Sequence, residues 1–355
     1  MSKFWSQRTH ELAPYTPGEQ PQDTQYIKLN TNENPYPPSP LALEAMQKAV
    51  SNDLRLYSDP NAKKLKQAIA DYYQVDISNV FVGNSSDEVL AHSFAGLLNH
   101  HKPLLYPDIS YSFYPSYINL FGINAKSVPL DDSLSINFSD YQQENSSIVF
   151  PNPNAPTGIA IAIEEIEKLA QQHPASVILV DEAYVDFGAK TAIPLTQQYD
   201  NIIVVQTFSK SRSLAGLRVG FAIAPAELVN GLERVKNSFN SYPLDRIAIE
   251  GATASILDKT YFEQTCQKII STRETTKKAL QTIGFTTLPS SSNFIFAMTE
   301  KLPAEEIYLA LKRQGVLVRY FNKPRINNYL RITIGTPEEM EVLIDKLKGI
   351  VEVNS

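Results

Sequence analysis

Apolar positions in the middle of the chain fall into short continuous runs, separated by segments with helical spacing. The runs are NVFVG, LLYP, SIVFPNP, SVILVDEAY and NIIVVQTFS, and the segments between them include SDEVLAHSFAGLL and EEIEKLAQQH. A short continuous apolar run is typical of a strand that is buried on both faces of its sheet, with helices covering those faces. The pattern therefore predicts an α/β fold with a mostly parallel sheet.

The two ends of the chain differ from this middle part. The first 35 or so residues are rich in proline, threonine, glutamine and asparagine, which predicts an extended arm. Beyond about residue 240 come a long helical stretch, the segments NFIFAMT, GVLVR and YLRITIG, and a last helix to about residue 350. We expect an amino-terminal arm (1–35) that packs with a small α+β domain (246–355), and a large ligand-binding domain (36–245).

Composition narrows the class of protein. The formal net charge of the 355 residues is −6, and no Lys/Arg run is longer than KKLK, whereas a nucleic-acid-binding surface needs a basic stripe. A single cysteine, Cys266, excludes an intrachain disulfide and suits a reducing compartment. The amino terminus has no apolar core of signal-peptide length, and nowhere do about 18 apolar residues run together. We expect a cytoplasmic protein with neither nucleic-acid nor membrane partners.

Polar segments follow the predicted strands, at the edge of the sheet where a ligand of a parallel sheet binds. They are GNSSDE (83–88), PDISYSFY (107–114), NPNAPTG (152–158), DEAY (181–184) and TFSKSRSLAGLR (207–218). GNSSDE opens a helix, in which Ser85 or Ser86 can act as the N-cap and free backbone N–H groups can face a phosphate. A well-capped helix without a ligand is the alternative, and the two interpretations are compatible.

Asp181 ends a buried apolar strand, where a carboxylate loses hydration free energy unless a cation or hydrogen-bond donors meet it. An ordinary ion pair or a capping acid would satisfy this requirement. A metal site is a weaker interpretation, because the five histidines show no ligand spacing near Asp181. The protonated ring nitrogen of a cofactor would be a suitable partner.

Lys210 follows the next strand and is flanked by serines, with Arg212 and Arg218 close behind it. Most lysines are simply solvated, but neighbouring cations at a strand end favour a neutral amine that can form a Schiff base. Ser209 and Arg218 could then neutralise a phosphate dianion, the arginine through a bidentate fork. A phosphate cradle, a carboxylate for a ring nitrogen and a lysine for an aldehyde together indicate pyridoxal 5′-phosphate.

The ordered set NPNAPTG, VDEAY, FSKSRSLAGLRVG and LRITIG resembles the fold-type I pyridoxal-phosphate-dependent aminotransferases over essentially the whole chain. Within this group PYTPGE, KLNTNENPYPPSP and RLYSDPNAKKLKQAIADYY resemble the histidinol-phosphate aminotransferases of class II. The resemblance implies transfer of an amino group between L-histidinol phosphate and 2-oxoglutarate, giving imidazole-acetol phosphate and glutamate in histidine biosynthesis.

The resemblance also implies roles for the residues that contact the cofactor ring. Lys210 would be the catalytic residue that binds the aldehyde and later moves the substrate proton. Asp181 would keep the ring nitrogen protonated, because its negative charge favours the protonated form. Tyr184 would donate to the phenolic oxygen of the ring. Tyr111 would stack on the ring face, although in a chain with 18 tyrosines a core position is a serious alternative.

For the cofactor phosphate, the resemblance implies binding by backbone N–H groups around Ser86, Asp87 and Glu88 and by the side chains of Ser209 and Arg218. Tyr57 matches a tyrosine that reaches this phosphate from a neighbouring subunit. The resemblance therefore implies a homodimer with shared active sites, while surface packing is an equally good explanation of Tyr57 alone.

At the substrate end, Arg331 in YLRITIG matches the arginine that anchors an anionic group. Arg319 matches a second cation for the phosphate of histidinol phosphate, and a surface charge at a strand end is its alternative. Asn34 lies in NTNENPY, which the resemblance makes a mobile segment that closes over substrate.

One position departs from the family pattern. Many aminotransferases have asparagine directly before PTG as a donor to the phenolic oxygen of the ring, and this chain has Ala155 there. We therefore expect Tyr184 to be the principal donor to that oxygen.

Three other functions share some or all of these motifs. An aromatic amino acid aminotransferase would have every catalytic residue named above. A threonine-phosphate decarboxylase would share the architecture and a phosphate-bearing substrate. A cofactor-binding regulator without turnover would need a further module, such as a DNA-binding one, and about 35 residues before the first helix do not provide one.

Overall fold

The computed structural model describes residues 2–15, 18–20 and 26–353, so parts of the expected arm lie outside the described residues. In the described part, the α-helices are α1 (Gln7–Glu11), α2 (Pro40–Ala49), α3 (Lys63–Tyr73), α4 (Ser85–Gly96), α5 (Tyr114–Phe121), α6 (Ile163–Gln172), α7 (Ala226–Phe239), α8 (Arg246–Leu257), α9 (Lys259–Thr282), α10 (Ala304–Arg313) and α11 (Pro337–Val353). The strands are β1 (Ile27–Lys28), β2 (Val80–Asn84), β3 (Leu104–Pro107), β4 (Ala125–Val128), β5 (Ser147–Pro151), β6 (Val177–Asp181), β7 (Ile202–Thr207), β8 (Val219–Ile223), β9 (Thr286–Thr287), β10 (Phe294–Met298), β11 (Val316–Leu317), β12 (Arg319–Tyr320) and β13 (Tyr329–Thr333).

The central sheet has the strand order β2-β8-β7-β6-β5-β3-β4. Neighbouring strands are parallel except at β8, which is antiparallel to both β2 and β7. The five apolar runs of the sequence correspond to β2, β3, β5, β6 and β7, and every residue of β7 is buried. The predicted α/β class with a mostly parallel sheet is therefore confirmed.

Two strands of the central sheet were not predicted, and one of them shapes the site. β4 is a short edge strand with a polar sequence, AKSV, so it carries little apolar signal. β8 runs in the reverse direction, and its amino end therefore lies at the edge where the parallel strands have their carboxyl ends. This reversal brings Arg218, the residue before β8, to the predicted ligand edge.

Helices cover both faces of the sheet, and alternate strand residues point to the two layers. On one face Val80 and Val82 pack with residues of α3, α6 and α8. On the other face Phe81 packs with residues of α4, α5 and α7. The predicted domain limit at residue 245 would assign α8 to the small domain, whereas Ala248, Ile249 and Ala252 of this helix pack on the large sheet.

The small domain is built on the antiparallel sheet β12-β13-β10-β9, covered by α9, α10 and α11. The long helical stretch after residue 240 is two helices, because the Asp258 carboxylate accepts the Tyr261 N–H at 3.3 Å and caps α9. No helix in residues 2–15, 18–20 and 26–353 is both long and apolar enough to span a membrane.

The amino-terminal region contacts both domains. It is not extended throughout, since α1 forms one short helix and Arg8 donates to the Asn119 carbonyl of α5 at 3.2 Å. β1 pairs in parallel with β11 of the small domain. Residues 29–34, which we call the amino-terminal strap, then run along β13, where Thr333 N–H donates to the Leu29 carbonyl at 3.0 Å.

Candidate active site

A cavity of about 390 Å³ lies at the carboxyl edge of the central sheet. Most of the predicted cofactor-binding residues line it, namely Ser86, Asp87, Tyr111, Asp181, Tyr184, Ser209, Lys210 and Arg218. An adjoining cavity of about 400 Å³ shares Tyr184 and Lys210 and adds Arg319 and Arg331. The structure therefore brings together residues that are up to 245 positions apart along the chain (from 86 to 331).

Asp181 lies at the floor of the first cavity and is 4% exposed. Its carboxylate accepts the Tyr114 hydroxyl at 2.9 Å and the Ala183 N–H at 3.3 Å. Burial raises the pKa of Asp181 to about 6, and the charge of Asp87 adds to this effect. Within the described ranges, no cation lies in ion-pair distance of Asp181, so a cationic group in the cavity would complete its pairing.

Lys210 follows β7 and projects its ammonium group toward the opposite wall. Its Nζ donates to the Thr31 carbonyl of the strap at 3.2 Å and lies 5.9 Å from the centre of the Tyr184 ring. The backbone around the lysine is held from the other side, because Asn34 Nδ2 donates to the carbonyls of Lys210 and Ser211 at 3.0 and 3.2 Å. The amine is therefore fixed between strap and strand end, facing both cavities.

The phosphate end of the cavity forms where β8 passes close to the start of α4. A Cβ on Gly220 would lie 2.1 Å from the Ser86 backbone nitrogen, so this approach requires glycine. Ser85 has φ 73°, a left-handed conformation that glycine adopts more readily than serine. Its hydroxyl accepts the Asp87 N–H at 3.2 Å, so Ser85 does the capping although α4 formally begins there.

Arg218 and Tyr111 meet at one acidic side chain. Asp87 accepts Arg218 Nη2 at 2.7 Å through one carboxylate oxygen and the Tyr111 hydroxyl at 3.0 Å through the other. Burial raises the pKa of Tyr111 well above its usual value, and so does the neighbouring carboxylate. Asp87 thus orients both the arginine and the aromatic ring in this cavity, a role of its side chain that the sequence did not suggest.

The second cavity has a strongly cationic wall. Arg319 and Arg331 are register partners on the adjacent strands β12 and β13. The Arg331 guanidinium lies 5.4 Å from the ring centre of Phe294 and 5.6 Å from that of Phe321. Burial lowers the pKa of Arg331, and the charge of Arg319 lowers it further. As far as the structure describes the chain, neither arginine has an acidic partner within 4.0 Å, so the pair is ready for an anion.

Three of the sequence-predicted residues do not line these cavities. Glu88 turns back and accepts the Asn84 N–H at 2.5 Å, which satisfies its own helix rather than a ligand. Asn34 uses its amide on the lysine loop, as described above. Tyr57 is 82% exposed and stacks on Tyr242 with the ring centres 4.7 Å apart, on the outer surface.

Sequence reasoning missed three contacts of the site. Tyr114, which bonds Asp181, lies in the same quoted segment as Tyr111, and only its full burial distinguishes it. Thr31 contributes a backbone carbonyl, which carries no residue signal. Asn32 donates to the Tyr184 hydroxyl at 3.0 Å, and its position in NTNENPY was the available hint.

Comparisons with known proteins agree on one family. Residues 24–347 match the family Aminotransferase class I and II. Histidinol-phosphate aminotransferase 1 of Hydrogenovibrio crunogenus is 56% identical over 355 residues, which cover 100% of each chain. Histidinol-phosphate aminotransferase of Pseudomonas putida strain KT2440 is 56% identical over 347 residues, 98% of this chain and 100% of the relative.

A solved structure shows the same fold. Histidinol-phosphate aminotransferase from Sinorhizobium meliloti, in complex with pyridoxal-5′-phosphate, superimposes with a TM-score of 0.87 at 22% identity, covering 100% of this chain and 99% of that one. The large and small sheets described above are therefore arranged as in a pyridoxal-phosphate protein.

Proposed function

This chain belongs to the class I and II aminotransferases, and from that membership we infer that it transfers an amino group between L-histidinol phosphate and 2-oxoglutarate in histidine biosynthesis. Identity of 56% along the whole chain to two proteins of that name supports the assignment. The observation in the structure that carries it is the pair Arg319 and Arg331, two neighbouring guanidiniums without an acidic partner among the described residues.

Pyridoxal 5′-phosphate is the cofactor, and the residues of the first cavity fit it. The buried Asp181 carboxylate meets no cation within the described ranges, which suits a protonated ring nitrogen. The buried Ser209 hydroxyl also has no hydrogen-bond partner in that part of the chain, which suits a phosphate oxygen. Arg218 supplies positive charge at the same end of the cavity. The buried carboxylate, the unpaired hydroxyl and the arginine, which also pairs with Asp87, are the complement of a phosphorylated pyridine.

Bound pyridoxal phosphate supplies an aldehyde that takes up amino groups and a ring that accepts electrons. We assign the chain's own contributions as follows. Lys210 would hold the aldehyde end of the cofactor and move the proton of the substrate Cα. Asp181 would keep the ring nitrogen protonated, and Tyr111 would cover the ring face. Ser209 and Arg218 would hold the phosphate, together with the backbone N–H groups at Ser86.

The paired arginines bind the distal anion of each substrate in turn. Histidinol phosphate presents a phosphate dianion and 2-oxoglutarate a carboxylate, and both are acceptors for guanidinium N–H groups. The mutual repulsion of two cations, one of them partly buried between aromatic rings, is relieved when an anion binds. This wall therefore selects substrates that carry an anionic group far from the reacting amine.

We expect a cytoplasmic homodimer with shared active sites. Tyr57 does not line the cavity of its own subunit, and large apolar side chains near it in sequence or in contact with it are exposed, including Leu54, Leu56 and Tyr242. A second copy of the chain would cover this surface and receive Tyr57 near its cofactor phosphate. Sedimentation of the holoenzyme tests the association, and a monomer at micromolar concentration would contradict it.

Half-reaction spectroscopy tests the substrate assignment. The holoenzyme is mixed separately with histidinol phosphate, tyrosine, phenylalanine and threonine phosphate, and conversion of the bound cofactor to its amine form is followed. We expect histidinol phosphate to convert it fastest. Faster conversion by tyrosine would replace the assignment with aromatic transamination, and release of CO₂ from threonine phosphate would replace it with decarboxylation.

A further inference from the structure

We propose that Asn32 is a positioning residue for this reaction, which fixes the direction of the Tyr184 hydroxyl proton so that Tyr184 donates into the cofactor cavity. Asn32 is 1% exposed and lies in the amino-terminal strap, 152 positions from Tyr184. The inference rests on the proposed function, because it assumes that a cofactor oxygen accepts the Tyr184 proton.

Two hydrogen bonds with Thr333 determine which way the Asn32 amide faces. The Asn32 backbone N–H donates to Thr333 Oγ1 at 3.0 Å. The Thr333 hydroxyl donates in turn to Asn32 Oδ1 at 3.0 Å. With the amide reversed, the Thr333 hydroxyl proton would have no acceptor among the described residues, at a buried position where an unmade hydrogen bond costs free energy. The Oδ1 atom therefore faces Thr333 and the Nδ2 atom faces Tyr184.

This orientation makes Tyr184 an acceptor toward the strap. An amide Nδ2 has only protons to offer, so in the 3.0 Å contact the Tyr184 oxygen must accept. The tyrosine's own proton is then left over, and no described residue accepts it. Tyr184 lines both cavities, so this proton is available to an acceptor bound there. An accepted hydrogen bond also polarises the hydroxyl and strengthens it as a donor.

The backbone of Asn32 is held as firmly as its side chain. Its φ is 58°, in the left-handed region that asparagine tolerates better than most residues. Asn293, 0% exposed, donates its amide to the Asn32 carbonyl at 2.9 Å. Arg331, two residues before Thr333 on β13, donates to the Asn30 carbonyl at 2.9 Å. The strap therefore connects the proposed anion site to the Tyr184 hydroxyl through a few rigid contacts.

The pH titration of the holoenzyme's cofactor absorbance tests this role without turnover. A donor on the phenolic oxygen of the ring spreads its negative charge and weakens its hold on the nearby proton shared with the Lys210 nitrogen. Loss of the donor therefore raises the pH midpoint of the titration. We expect Asn32→Ala to raise it by about 0.7 pH units, the size of one neutral hydrogen bond. Asn32→Asp should raise it further, because a carboxylate accepts the Tyr184 proton and turns it away from the ring.

Two comparisons separate positioning from general damage to the fold. In a Tyr184→Phe background, Asn32→Ala should add nothing to the midpoint, because the hydroxyl it orients is gone. Asn30→Ala is the matched control, since its amide donates to the Glu19 carbonyl at 3.0 Å and does not reach Tyr184. It should leave the midpoint at the wild-type value. Thr333→Val should raise the midpoint and Thr333→Ser should restore it.

An unchanged midpoint in Asn32→Ala, or an equal shift in the Tyr184→Phe background, overturns the proposal. If Asn32→Ala does not fold, the Thr333 variants decide. An unchanged pH midpoint in Thr333→Val, or a midpoint in Thr333→Ser that stays as high as in Thr333→Val, overturns the proposal. If the wild-type protein converts histidinol phosphate and the variants have the wild-type midpoint, the inference is refuted and the proposed function stands. A protein that shows no cofactor absorbance at all refutes the proposed function and the inference together.

Discussion

Removal of the charge at Asp181 should stabilise the apoprotein at neutral pH while impairing the holoenzyme. The carboxylate is almost fully buried and has only two donors, the Tyr114 hydroxyl at 2.9 Å and the Ala183 N–H at 3.3 Å. Without a cofactor it has no cationic partner within the described residues, and burial raises its pKa to about 6. The ionised carboxylate therefore lowers the free energy of unfolding of the apoprotein, and binding of a protonated cofactor ring should remove this effect.

The size of this cost follows from the two pKa values. An aspartate in the unfolded chain has a pKa near 3.8, and the folded value is about 6. A difference of about two pH units corresponds to about 3 kcal/mol, to order of magnitude. Because the folded pKa is the higher one, the stabilising contribution of the protonated form is complete below about pH 4 and is lost as the pH rises through about 6.

Urea unfolding of apoprotein and of Asp181→Asn apoprotein, at one protomer concentration and from about pH 4 to 7.5, measures the effect. Between about pH 4 and 7.5 the free energy of unfolding of the variant should increase relative to that of wild type by roughly 2 to 3 kcal/mol, most of the full difference. Burial also raises the pKa of Glu182, to about 7, and of Asp186, but both proteins keep these groups and their effects cancel in the difference.

Cofactor addition supplies the control for this reasoning. Pyridoxal phosphate should stabilise wild type more than Asp181→Asn at neutral pH, because only wild type offers a carboxylate to the ring nitrogen. If the free energy of unfolding of the two apoproteins changes with pH in parallel, ionised Asp181 does not destabilise the apoprotein, and the reasoning is refuted. Equal stabilisation of both proteins by the cofactor would refute its pairing with the ring.

Four further outcomes are expected. Borohydride should trap no cofactor on Lys210→Ala, and a covalent adduct in its mass spectrum would displace Lys210 from its role. Inactive Lys210→Ala and impaired Tyr57→Ala subunits should recover activity when mixed, because one site of the hybrid dimer is intact; no recovery would argue against shared sites. Arg331→Lys should raise KM for histidinol phosphate at least about tenfold through loss of the guanidinium fork, and an unchanged KM would place the anion elsewhere. Ala155→Asn should lower the pH midpoint of cofactor absorbance by adding a donor, whereas an unchanged or higher midpoint would contradict this.

Much of the site could be predicted because parallel strands place their carboxyl ends at one edge. Asp181, Ser209 and Lys210 follow buried apolar runs, so their positions were fixed once the runs were identified as neighbouring strands. Arg218 was also identified, although from its distance to Lys210 in the motif. The reversal of β8 that places Arg218 at this edge gives no local signal.

The contacts that escaped prediction depend on tertiary packing. Glu88 was expected to offer its backbone N–H to the phosphate, and nothing in the sequence indicated that its carboxylate accepts the Asn84 N–H. Asn34 and Asn32 lie two positions apart in one polar segment, and only the fold decides which amide turns to the lysine loop and which to Tyr184. Spacing along a strap without regular secondary structure cannot determine such choices.

The amino-terminal strap has a consequence for the order in which the protein is made. Asn32 emerges from the ribosome well before its partner Thr333, which follows 301 residues later. Contacts of such long separation form late, after the closure of a long loop. The large sheet can fold while the chain is still being translated, yet Lys210 and Tyr184 gain their strap contacts only when the small domain has emerged. Completion of the last strand thus sets the moment at which a nascent chain acquires a finished active site.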